Sequence, residues 1–436
     1  MQLIVDLHIH SHYSRACSKE MNIASLYKWG KIKGINIIGT GDFTHPEWFA
    51  EIRKKLEPAE PGLFKLKSKY AKEQDKLIPQ SCSKNLIRFI LTVEISNIYS
   101  KLGKVRKLHN LIIVPDFATV SYINSELAKI GNLKADGRPI LGLDSKQLLK
   151  ISLNSNPQSF FIPAHIWTPW FAMFGSKSGF DTIEEAFDEL AGEITAVETG
   201  LSSDPFMNWR LSQLDGLTLV SNSDAHSPPK LGREANIING QLNYADIIGA
   251  VRTNDHRMVG TIEFFPQEGK YHYDGHRSCQ VRLTPAETKK YNGICPKCGR
   301  PLVLGVDYRV DQLADRKSNY RPKKHKKVEY IIPLVELLAE IHGVKSPSSK
   351  KVQSDYLNVY STFGNEFDIL RHVAPKDIAA KGFKDLAHAL TKMRQEDVFL
   401  DPGYDGVFGT ISIFGKNISQ SKTGQQKWQG QLGLGI

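Results

Sequence analysis

The fold of the protein follows from residues 2–10, QLIVDLHIH, where an apolar run ends in alternating polar side chains. This run predicts a buried strand, and the amphipathic pattern after it, capped by Asn22 and stopped at Gly34, predicts a helix. A second apolar run at 35–41 and a helix opened by Pro46 repeat the unit. Later strands are predicted at 89–95, 111–114, 160–164, 194–197, 217–221 and 258–264. Repeated βα units indicate an α/β fold, either a barrel or a doubly wound sheet.

The composition is that of a globular protein. Hydrophobic residues make up 41% of the 436 residues and charged residues 24%, which excludes a disordered chain. No apolar stretch approaches the roughly 20 residues of a membrane span, and the N-terminus lacks the basic region of a signal peptide. Five cysteines, an odd number, argue against a disulfide framework, so a reducing cytoplasmic location is expected.

The positive charge is concentrated in the C-terminal part of the chain. The whole chain carries 57 Lys and Arg against 46 Asp and Glu, a net charge of +11. Residues 266–436 hold 27 basic and 18 acidic side chains, or +9, whereas residues 1–265 hold 30 and 28, or +2. This asymmetry predicts two functions on one chain, and it is compatible with a polyanionic partner for the C-terminal part.

Polar side chains recur where the predicted strands end. They are His8, His10, Asp42, His45, Glu94, His165, Asp224 and His226. His8 and His10 face the same side of a strand because they are two residues apart, and Asp224 and His226 share this spacing. Buried polar pairs are costly unless something satisfies them, and a metal ion would do so.

His109 differs from this set because it opens an apolar run instead of ending one. Residues 88–116 predict a hairpin that turns near residues 101–103, and its pairing would bring His109 close to Glu94. Chemistry in parallel barrels is built at the C-terminal ends of the strands, so all these residues are expected on one rim. His12, His256 and His272 lack such a pattern and are expected to be ordinary core or surface residues.

The order of these motifs resembles that of the PHP phosphoesterase family over about the first 265 residues. The matching segments are Asp-Leu-His-Ile-His (6–10), Gly-Thr-Gly-Asp (39–42), Val-Glu-Ile (93–95), His109, Pro-Ala-His (163–165) and Ser-Asp-Ala-His (223–226). The resemblance implies a distorted β/α barrel that holds two or three divalent ions (Zn, Mn or Mg) for phosphoester hydrolysis.

The resemblance also implies a ligand set. One ion would be held by His8, His10, Glu94 and Asp224, and a second by Glu94, His109 and His165, with Glu94 bridging the two. His226 would help to hold a third ion, and Asp42 and His45 complete the expected ligands, although Phe43 stands where the family has a histidine.

Clustered divalent ions suit phosphodiester hydrolysis for a physical reason. They neutralise the phosphate oxygens, lower the pKa of bound water to about 7 and stabilise the leaving oxygen. Mixed histidine and carboxylate ligands suit zinc or manganese better than magnesium. Glu94, Asp224 and His226 are the residues expected to serve catalysis directly.

A second ligand pattern lies between residues 276 and 299. His276 with Cys279, and Cys295 with Cys298, are two pairs of the spacing that tetrahedral zinc uses. His272 or Asp274 could replace His276 as the fourth ligand. A closed four-ligand zinc site is structural, so it is expected to stabilise a small module with little core of its own.

A basic run follows this module. Arg321, Lys323, Lys324, Lys326 and Lys327 predict phosphate contacts, with Tyr308 and Tyr320 near enough to stack on bases. Residues 399–409 form a glycine-rich loop with aromatic side chains, for which a mobile lid and a packed turn both remain open.

Taken together, these segments are similar to the endonuclease Q family over nearly the whole chain. The additional motifs are Gly-Asp-Phe-Thr-His-Pro (41–46), Gly-His-Arg-Ser-Cys and Cys-Pro-Lys-Cys-Gly (275–299), and Asp-Pro-Gly-Tyr-Asp-Gly (401–406). The resemblance implies a nucleoid-associated repair enzyme that nicks double-stranded DNA 5′ to uracil, hypoxanthine, xanthine or an abasic site. A replication or repair clamp is a further expected partner, and none is expected in a membrane.

The expected organisation is a PHP domain at 1–265 with a surface insertion at 57–86, and a zinc ribbon at 266–310. A basic, mainly helical region at 311–415 and a flexible tail at 416–436 follow. Two alternatives are a small-molecule phosphatase of the histidinol-phosphate type and a non-catalytic DNA-binding protein. The first leaves the C-terminal charge unexplained, and the second leaves the ligand set unexplained.

Overall fold

A computed structural model describes residues 1–415 and the backbone of the strand Gln426–Trp428. Apart from that strand, the tail predicted at 416–436 lies outside the described residues. None of the helices in the described part of the chain combines the length and apolar character that a membrane crossing requires.

Strands and helices alternate over the first 265 residues. The strands are β1 (Gln2–Asp6), β2 (Ile37–Gly39), β3 (Leu56–Pro58), β4 (Phe64–Leu66), β5 (Arg88–Lys101), β6 (Lys104–Val114), β7 (Ile140–Leu141), β8 (Phe160–Pro163), β9 (Ala196–Glu198), β10 (Thr218–Val220), β11 (Ala235–Asn239) and β12 (Met258–Glu263). The helices are α1 (Ile23–Lys33), α2 (Pro46–Lys55), α3 (Ser68–Asp75), α4 (Phe117–Ala128), α5 (Ser145–Ser155), α6 (Ile183–Phe187), α7 (Pro205–Asn208) and α8 (Tyr244–Thr253). Asn22 caps α1 and Gly34 ends it with a φ of 88°, as the sequence predicts.

The remainder of the chain is mainly helical. Its strands are β13 (Asp274–His276), β14 (Val281–Leu283), β15 (Lys327–Tyr330), β16 (Val398–Asp401), β17 (Thr410–Ser412) and β18 (Gln426–Trp428). Its helices are α9 (Pro285–Lys290), α10 (Val306–Leu313), α11 (Leu334–Ile341), α12 (Lys350–Phe363), α13 (Glu366–Arg371), α14 (Pro375–Ala380) and α15 (Lys384–Arg394).

One curved sheet organises the N-terminal part. Eleven of the described strands belong to it in the order β15-β12-β11-β1-β2-β5-β4-β3, with β6 and β7 also paired to β5, and β8 paired to β6. The parallel pair β9–β10 fills the remaining gap. On one side Ile166 donates its amide to the carbonyl of Glu198 at 3.0 Å, and on the other His10 donates to Ala225 at 3.0 Å. The strands thus form a distorted barrel, and this mixed α/β architecture confirms the predicted fold class.

The predicted hairpin at 88–116 is present as β5 and β6. Strand β6 pairs antiparallel with residues 91–101 of β5, and the chain turns at Leu102 and Gly103, both of which have positive φ values. The register sets Glu94 opposite Leu111 and Ser96 opposite His109. His109 therefore lies two residues along from Glu94 on the neighbouring strand, as expected.

The C-terminal region is attached to the barrel at several places, of which two are buried in the fold. Strand β15 extends the sheet by pairing parallel to β12, so part of the predicted 311–415 region is built into the barrel's own sheet. Lys33 of α1 also forms a 2.7 Å ion pair with Glu366 of α13, and both side chains are buried. The hydroxyl of Tyr356 donates to the same Glu366 carboxylate, which compensates the cost of burying this charge.

The predicted insertion at 57–86 contains β3, β4 and α3.

Two buried carboxyl groups face each other near the ends of β11 and β12. Glu234 and Glu263 are both 0% exposed, and each has one oxygen without a hydrogen-bond partner in the described structure. Burial raises the pKa of Glu263 to about 8, although Ser221 donates a hydrogen bond to it. Burial and the neighbouring Glu263 raise the pKa of Glu234 well above its usual range. One proton or more is therefore retained here at neutral pH.

This pair predicts a pH-dependent stability. Because the pKa of Glu263 rises from 4.5 to about 8 on folding, its contribution is complete below pH 4.5 and is lost as the pH approaches 8. The slope is up to about 1.4 kcal/mol per pH unit. Glu263→Gln should therefore flatten the fall in unfolding free energy, measured by urea denaturation at pH 5, 6.5 and 8. Glu73→Gln, an exposed change on α3, is the control, and equal slopes for wild type and Glu263→Gln would contradict the assignment.

Candidate metal centre and zinc module

The barrel's strands bring the predicted ligands to one place. The residues concerned come from the end of β1, from β5 and β6, and from the segments after β8 and β10; they are His8, His10, Glu94, His109, His165, Asp224 and His226. His165 and Asp224 have positive φ values of 29° and 46°. Non-glycine residues adopt this conformation at an energetic cost, which is common where a side chain must point into a functional site.

Glu94 lies at the centre of the group, and each of its oxygens faces a different pair of histidines. Oε2 lies 3.5 Å from Nε2 of His8 and 3.3 Å from Nε2 of His10. Oε1 lies 2.8 Å from Nδ1 of His109 and 3.0 Å from Nε2 of His165. A carboxylate in this position can bridge two metal ions.

Asp224 continues the cluster beyond the first pair of histidines. Its Oδ1 lies 3.1 Å from Nε2 of His10 and 3.9 Å from Nε2 of His8. His226 is close by, with Nδ1 at 3.6 Å from the same oxygen. The possible ligand atoms form three groups, each within 4.8 Å: His8, His10 and Glu94; His10, Asp224 and His226; and Glu94, His109 and His165.

Three polar atoms of the cluster lack hydrogen-bond partners among residues 1–415, and their positions show whether cations fit there. His8 Nε2, His10 Nε2 and Asp224 Oδ1 are buried and have no hydrogen-bond partner in the described structure. Buried polar groups without partners are rare and costly. These atoms converge on the same space as Glu94, and imidazole with carboxylate is a donor set suited to zinc or manganese. The residues present therefore fit divalent cations.

Two carboxylates outside the cluster hold the histidines in position. Both oxygens of Glu198 lie 3.0 Å from Nδ1 of His8, and Oδ1 of Asp42 lies 3.0 Å from Nδ1 of His10. Such partners fix the tautomer so that Nε2 is free to bind a metal. The other oxygen of Asp42 accepts bonds from the hydroxyls of Ser11 and Ser14.

This geometry differs from the expectation for Asp42 and His45. Asp42 was predicted to bind a metal, but its oxygens are used by His10 and the two serines, so it orients a ligand instead. His45 stacks on Tyr13 at 4.1 Å between ring centroids and belongs to none of the ligand groups found among residues 1–415. Neither contact could be predicted from the sequence, because Asp42 is far along the chain from His10, and His45 is equally far from Tyr13.

Glu198 and Arg138 were not predicted from the sequence. Glu198 ends the apolar run at 194–197, so the same strand-end pattern that located Glu94 also applies to it. Arg138 donates from Nη1 to Oε2 of Glu94 at 2.9 Å. It lies in a loop before β7, where no periodicity marks it.

The charges around the cluster keep its carboxylates ionised. Burial alone would raise the pKa of Glu94, but nearby His109 and Arg138 hold this pKa well below its usual range. Burial opposes ionisation of Asp224 too, but the neighbouring His10 and His8 lower the pKa of Asp224. Both groups are therefore available as anionic ligands at neutral pH.

The second predicted site is also assembled. His276, Cys279, Cys295 and Cys298 bring one ligand atom each within 4.8 Å of one another, and Nδ1 of His276 lies 3.4 Å from the sulfur of Cys298. Neither of the two alternative ligands belongs to this group. Asp274 accepts the amide of Gly305 at 2.6 Å, and His272 is buried outside this group. The cluster therefore indicates a zinc module with His276 as the fourth ligand.

Some basic side chains of residues 321–327 already make contacts within the protein. Arg321 stacks on Phe206 at 4.0 Å from the ring centroid, Lys326 donates to a backbone carbonyl, and Lys327 forms a 2.8 Å ion pair. Lys323, Lys324 and Lys327 are exposed, whereas Arg321 and Lys326 are partly buried. Phosphate contacts therefore stay a prediction, which the three exposed lysines fit best.

A cavity of about 420 Å³ lies beside the candidate metal centre. Thr168 links the two, since it lines the cavity and its Oγ1 lies 3.2 Å from Nδ1 of His165. Trp170 and Tyr271 form an aromatic wall with their rings 5.7 Å apart, and Trp170 is 41% exposed. His272 lines the cavity, and its buried Nδ1 has no hydrogen-bond partner in the described structure.

The glycine-rich loop at 399–409 is a packed turn. Gly403 and Gly409 donate their amides to the carbonyls of Gln267 and Glu268 at 2.8 and 3.0 Å. A Cβ on Gly409 would lie 2.1 Å from the oxygen of Gln267, so only glycine fits. The turn carries Phe408, which is 72% exposed, to the rim of the cavity.

Loss of a zinc ligand should unfold the zinc module and leave the rest of the protein folded. Its core holds four buried side chains, which together contribute about 8 kcal/mol, whereas structural zinc contributes about 10–16 kcal/mol in small modules. Cys295→Ser should therefore remove one zinc per chain in elemental analysis and increase hydrogen exchange at 274–304. Cys82→Ala, at a cysteine outside the module, should leave both unchanged. Undiminished zinc in Cys295→Ser would contradict this site.

Comparison with known proteins identifies similar chains. Residues 333–397 match the model of the MJ0043 C-terminal domain. The protein MJ0043 of Methanocaldococcus jannaschii is 33% identical over 258 residues, which cover 57% of this chain and 31% of the relative. The chain thus spans about a third of the length of that relative.

Two solved structures are similar over nearly the whole chain. One is the lesion-specific endonuclease PfuEndoQ from Pyrococcus furiosus, with a TM-score of 0.81 and 28% identity over 96% of this chain and 98% of that one. The other is endonuclease Q in complex with a 27-mer duplex substrate that has an abasic lesion at the active site. Its TM-score is 0.80 with 28% identity, over 94% of this chain and 96% of that one. The resemblance to endonuclease Q inferred from the sequence motifs is thereby confirmed.

Proposed function

We propose that the protein is a metal-dependent DNA repair endonuclease that hydrolyses a phosphodiester 5′ to a deaminated base or an abasic site. The observation that carries the proposal is the position of Glu94 between two pairs of histidines, with Asp224 next to one pair. The likeness to lesion-specific endonuclease structures supports damaged DNA as the substrate.

The arrangement suits hydrolysis of a phosphodiester. Divalent ions held by His8, His10, Glu94 and their neighbours would neutralise phosphate oxygens and activate water. The protein's own contribution is to hold the ligands rigidly: Glu198 and Asp42 fix the rings of His8 and His10. Rigid positioning matters because small displacements in a catalytic site cost large factors in rate.

The cavity next to this cluster is the proposed pocket for the damaged nucleotide. Enzymes that act at one base in a duplex take it out of the helical stack, and aromatic side chains then replace the lost stacking. Trp170, Tyr271 and Phe408 supply such surfaces at the cavity, and Lys270 lies 5.7 Å from the Phe408 ring. His272 forms part of the cavity wall, with its Nδ1 buried behind the surface.

The DNA on either side of the lesion is proposed to contact the C-terminal part of the chain. Lys323, Lys324 and Lys327 are the exposed lysines of the basic run, and the zinc module carries further basic side chains. Association with the nucleoid and with a sliding clamp stays a prediction.

Metal ligation by Asp224 can be tested directly. The protein is incubated with labelled duplexes that contain uracil, hypoxanthine or an abasic site, in manganese, magnesium or chelator. Wild type should nick at the lesion only with metal, and Asp224→Asn should bind the duplex but nick it at least about 100-fold more slowly. Asp385→Asn on the exposed side of α15 is the control.

The outcomes separate the proposal from its alternatives. Full nicking by Asp224→Asn would exclude the assigned role of this carboxylate. Hydrolysis of a phosphate monoester without nicking of any lesion duplex would favour a small-molecule phosphatase. One zinc per chain and no hydrolysis of either substrate would favour a non-catalytic DNA-binding protein.

A separate prediction concerns the stacking of the base on Phe408 in the cavity. Phe408→Ala should slow nicking of a uracil duplex by about 5- to 150-fold, because stacking on a base contributes about 1–3 kcal/mol. The metal content should not change, since Phe408 touches none of the candidate ligands. Leu357→Ala, which removes an exposed apolar side chain from α12, serves as the control. A Phe408→Ala protein with wild-type kinetics would mean that the base does not stack there.

A further inference from the structure

Arg138 occupies an unusual position for a basic residue. The adjacent Pro139 accepts the amide of Ser96 at 3.1 Å, and β7 then runs parallel to β5 with Ile140 beside Ser96. The loop before β7 therefore crosses β5 two residues beyond Glu94. This crossing places the guanidinium of Arg138 over the carboxylate at the centre of the metal cluster.

The loop is held there tightly. A Cβ on Gly137 would lie 2.3 Å from Oδ2 of Asp42 and 2.5 Å from Oγ of Ser14, so only glycine fits at this position. The amide of Gly137 donates to the carbonyl of Tyr13 at 3.0 Å. The loop therefore rests on the same network that orients His10, and Arg138 cannot move far from the cluster.

The guanidinium is only partly used in these contacts. Nη1 donates to Oε2 of Glu94 at 2.9 Å, and the Arg138 side chain is 24% exposed whereas Glu94 is fully buried. Arginine has five N–H donors in a planar fork. Within residues 1–415 no other hydrogen bond from this side chain is found, so donors of a partly exposed guanidinium are left for a ligand.

A cation at this place does not assist metal binding. Arginine and the divalent ions repel each other, and arginine competes with them for Glu94, so a site built only to hold metal would be better without it. An anionic ligand reverses this balance. A phosphate group binds to guanidinium through charge-assisted hydrogen bonds, which arginine makes more specifically than lysine.

We propose that Arg138 binds a non-bridging oxygen of the phosphate group on which the metal cluster acts. Its contact with Glu94 holds the guanidinium in place before the phosphate arrives. The inference rests on the proposed function only in its choice of substrate, because any phosphate at the cluster would meet the same donors.

The first experiment uses inorganic phosphate, so it does not depend on the DNA substrate. Binding of phosphate to the manganese-loaded protein is measured by titration calorimetry, with the manganese content determined for each variant. Arg138→Gln should weaken phosphate binding at least about 10-fold, and Arg138→Lys less, with the metal content unchanged. Arg53→Gln, at an exposed arginine of α2, should bind phosphate as wild type does.

The second experiment measures nicking of a duplex with an abasic site under single-turnover conditions. Arg138→Ala should reduce the rate by about 100-fold, with duplex affinity within about threefold of wild type, and added guanidinium should restore part of the rate. Rescue would not be expected of a residue that only stabilises the fold.

Two results would overturn the proposal: phosphate binding that survives in Arg138→Gln, or loss of metal in both Arg138→Gln and Arg138→Lys. If wild type nicks no lesion duplex but phosphate binding still requires Arg138, the proposed substrate is wrong and the role of Arg138 stands.

Discussion

The structure depends on the burial of one negative charge, the carboxylate of Glu94. Removal of a carboxylate from water costs several kcal/mol unless partners replace the lost hydration. Here those partners come from four separate parts of the chain: the segment after β1, strand β6, the loop before β7 and the segment after β8. The barrel therefore closes around a group that is stable only when the barrel is complete and a counter-charge is present.

The histidines around Glu94 are held in position by hydrogen bonds from residues that do not touch Glu94 themselves. Glu198 binds His8, and its other contacts are the amide of His165 and the side chain of Asn222. Asp42 similarly joins His10 to two serines. His8 and His10 are thus each fixed at Nδ1 by a carboxylate, and several donors fix that carboxylate in turn. The result is a set of Nε2 atoms that point into one space without freedom to turn away.

Much of this arrangement could be predicted from the sequence. The hairpin of β5 and β6 follows from two apolar runs around a Leu-Gly turn, and its register accounts for His109. The strand-end pattern located His8, His10, His165 and Asp224 because parallel strands end on the same rim. Glu94 was also expected at a strand end, but β5 continues to Lys101, so Glu94 lies within its strand. The same pattern also fits Glu198, which ends a run that the prediction had already recognised as a strand.

The remaining features depend on contacts between distant segments. Asp42 was located correctly at a strand end, but its side chain binds His10 because Ser11, Ser14 and the Gly137 loop occupy the other directions. Arg138 lies in an irregular loop, where spacing carries no information about neighbours. In the basic run, a count of charges could not reveal that Arg321 stacks on Phe206. Sequence patterns predict which face of a strand or helix a side chain lies on, whereas packing decides which residues it contacts.

The turn at 402–409 joins two parts of the molecule that otherwise have separate tasks. Its Phe408 forms part of the cavity rim, and its Asp405 accepts the backbone amide of Arg277, next to the zinc ligand His276. One short segment is therefore fixed at one end by the cavity wall and at the other by the zinc module. In a cell short of zinc, a loosened module would release this segment, and the cavity would lose its Phe408 rim while the candidate metal centre stayed intact.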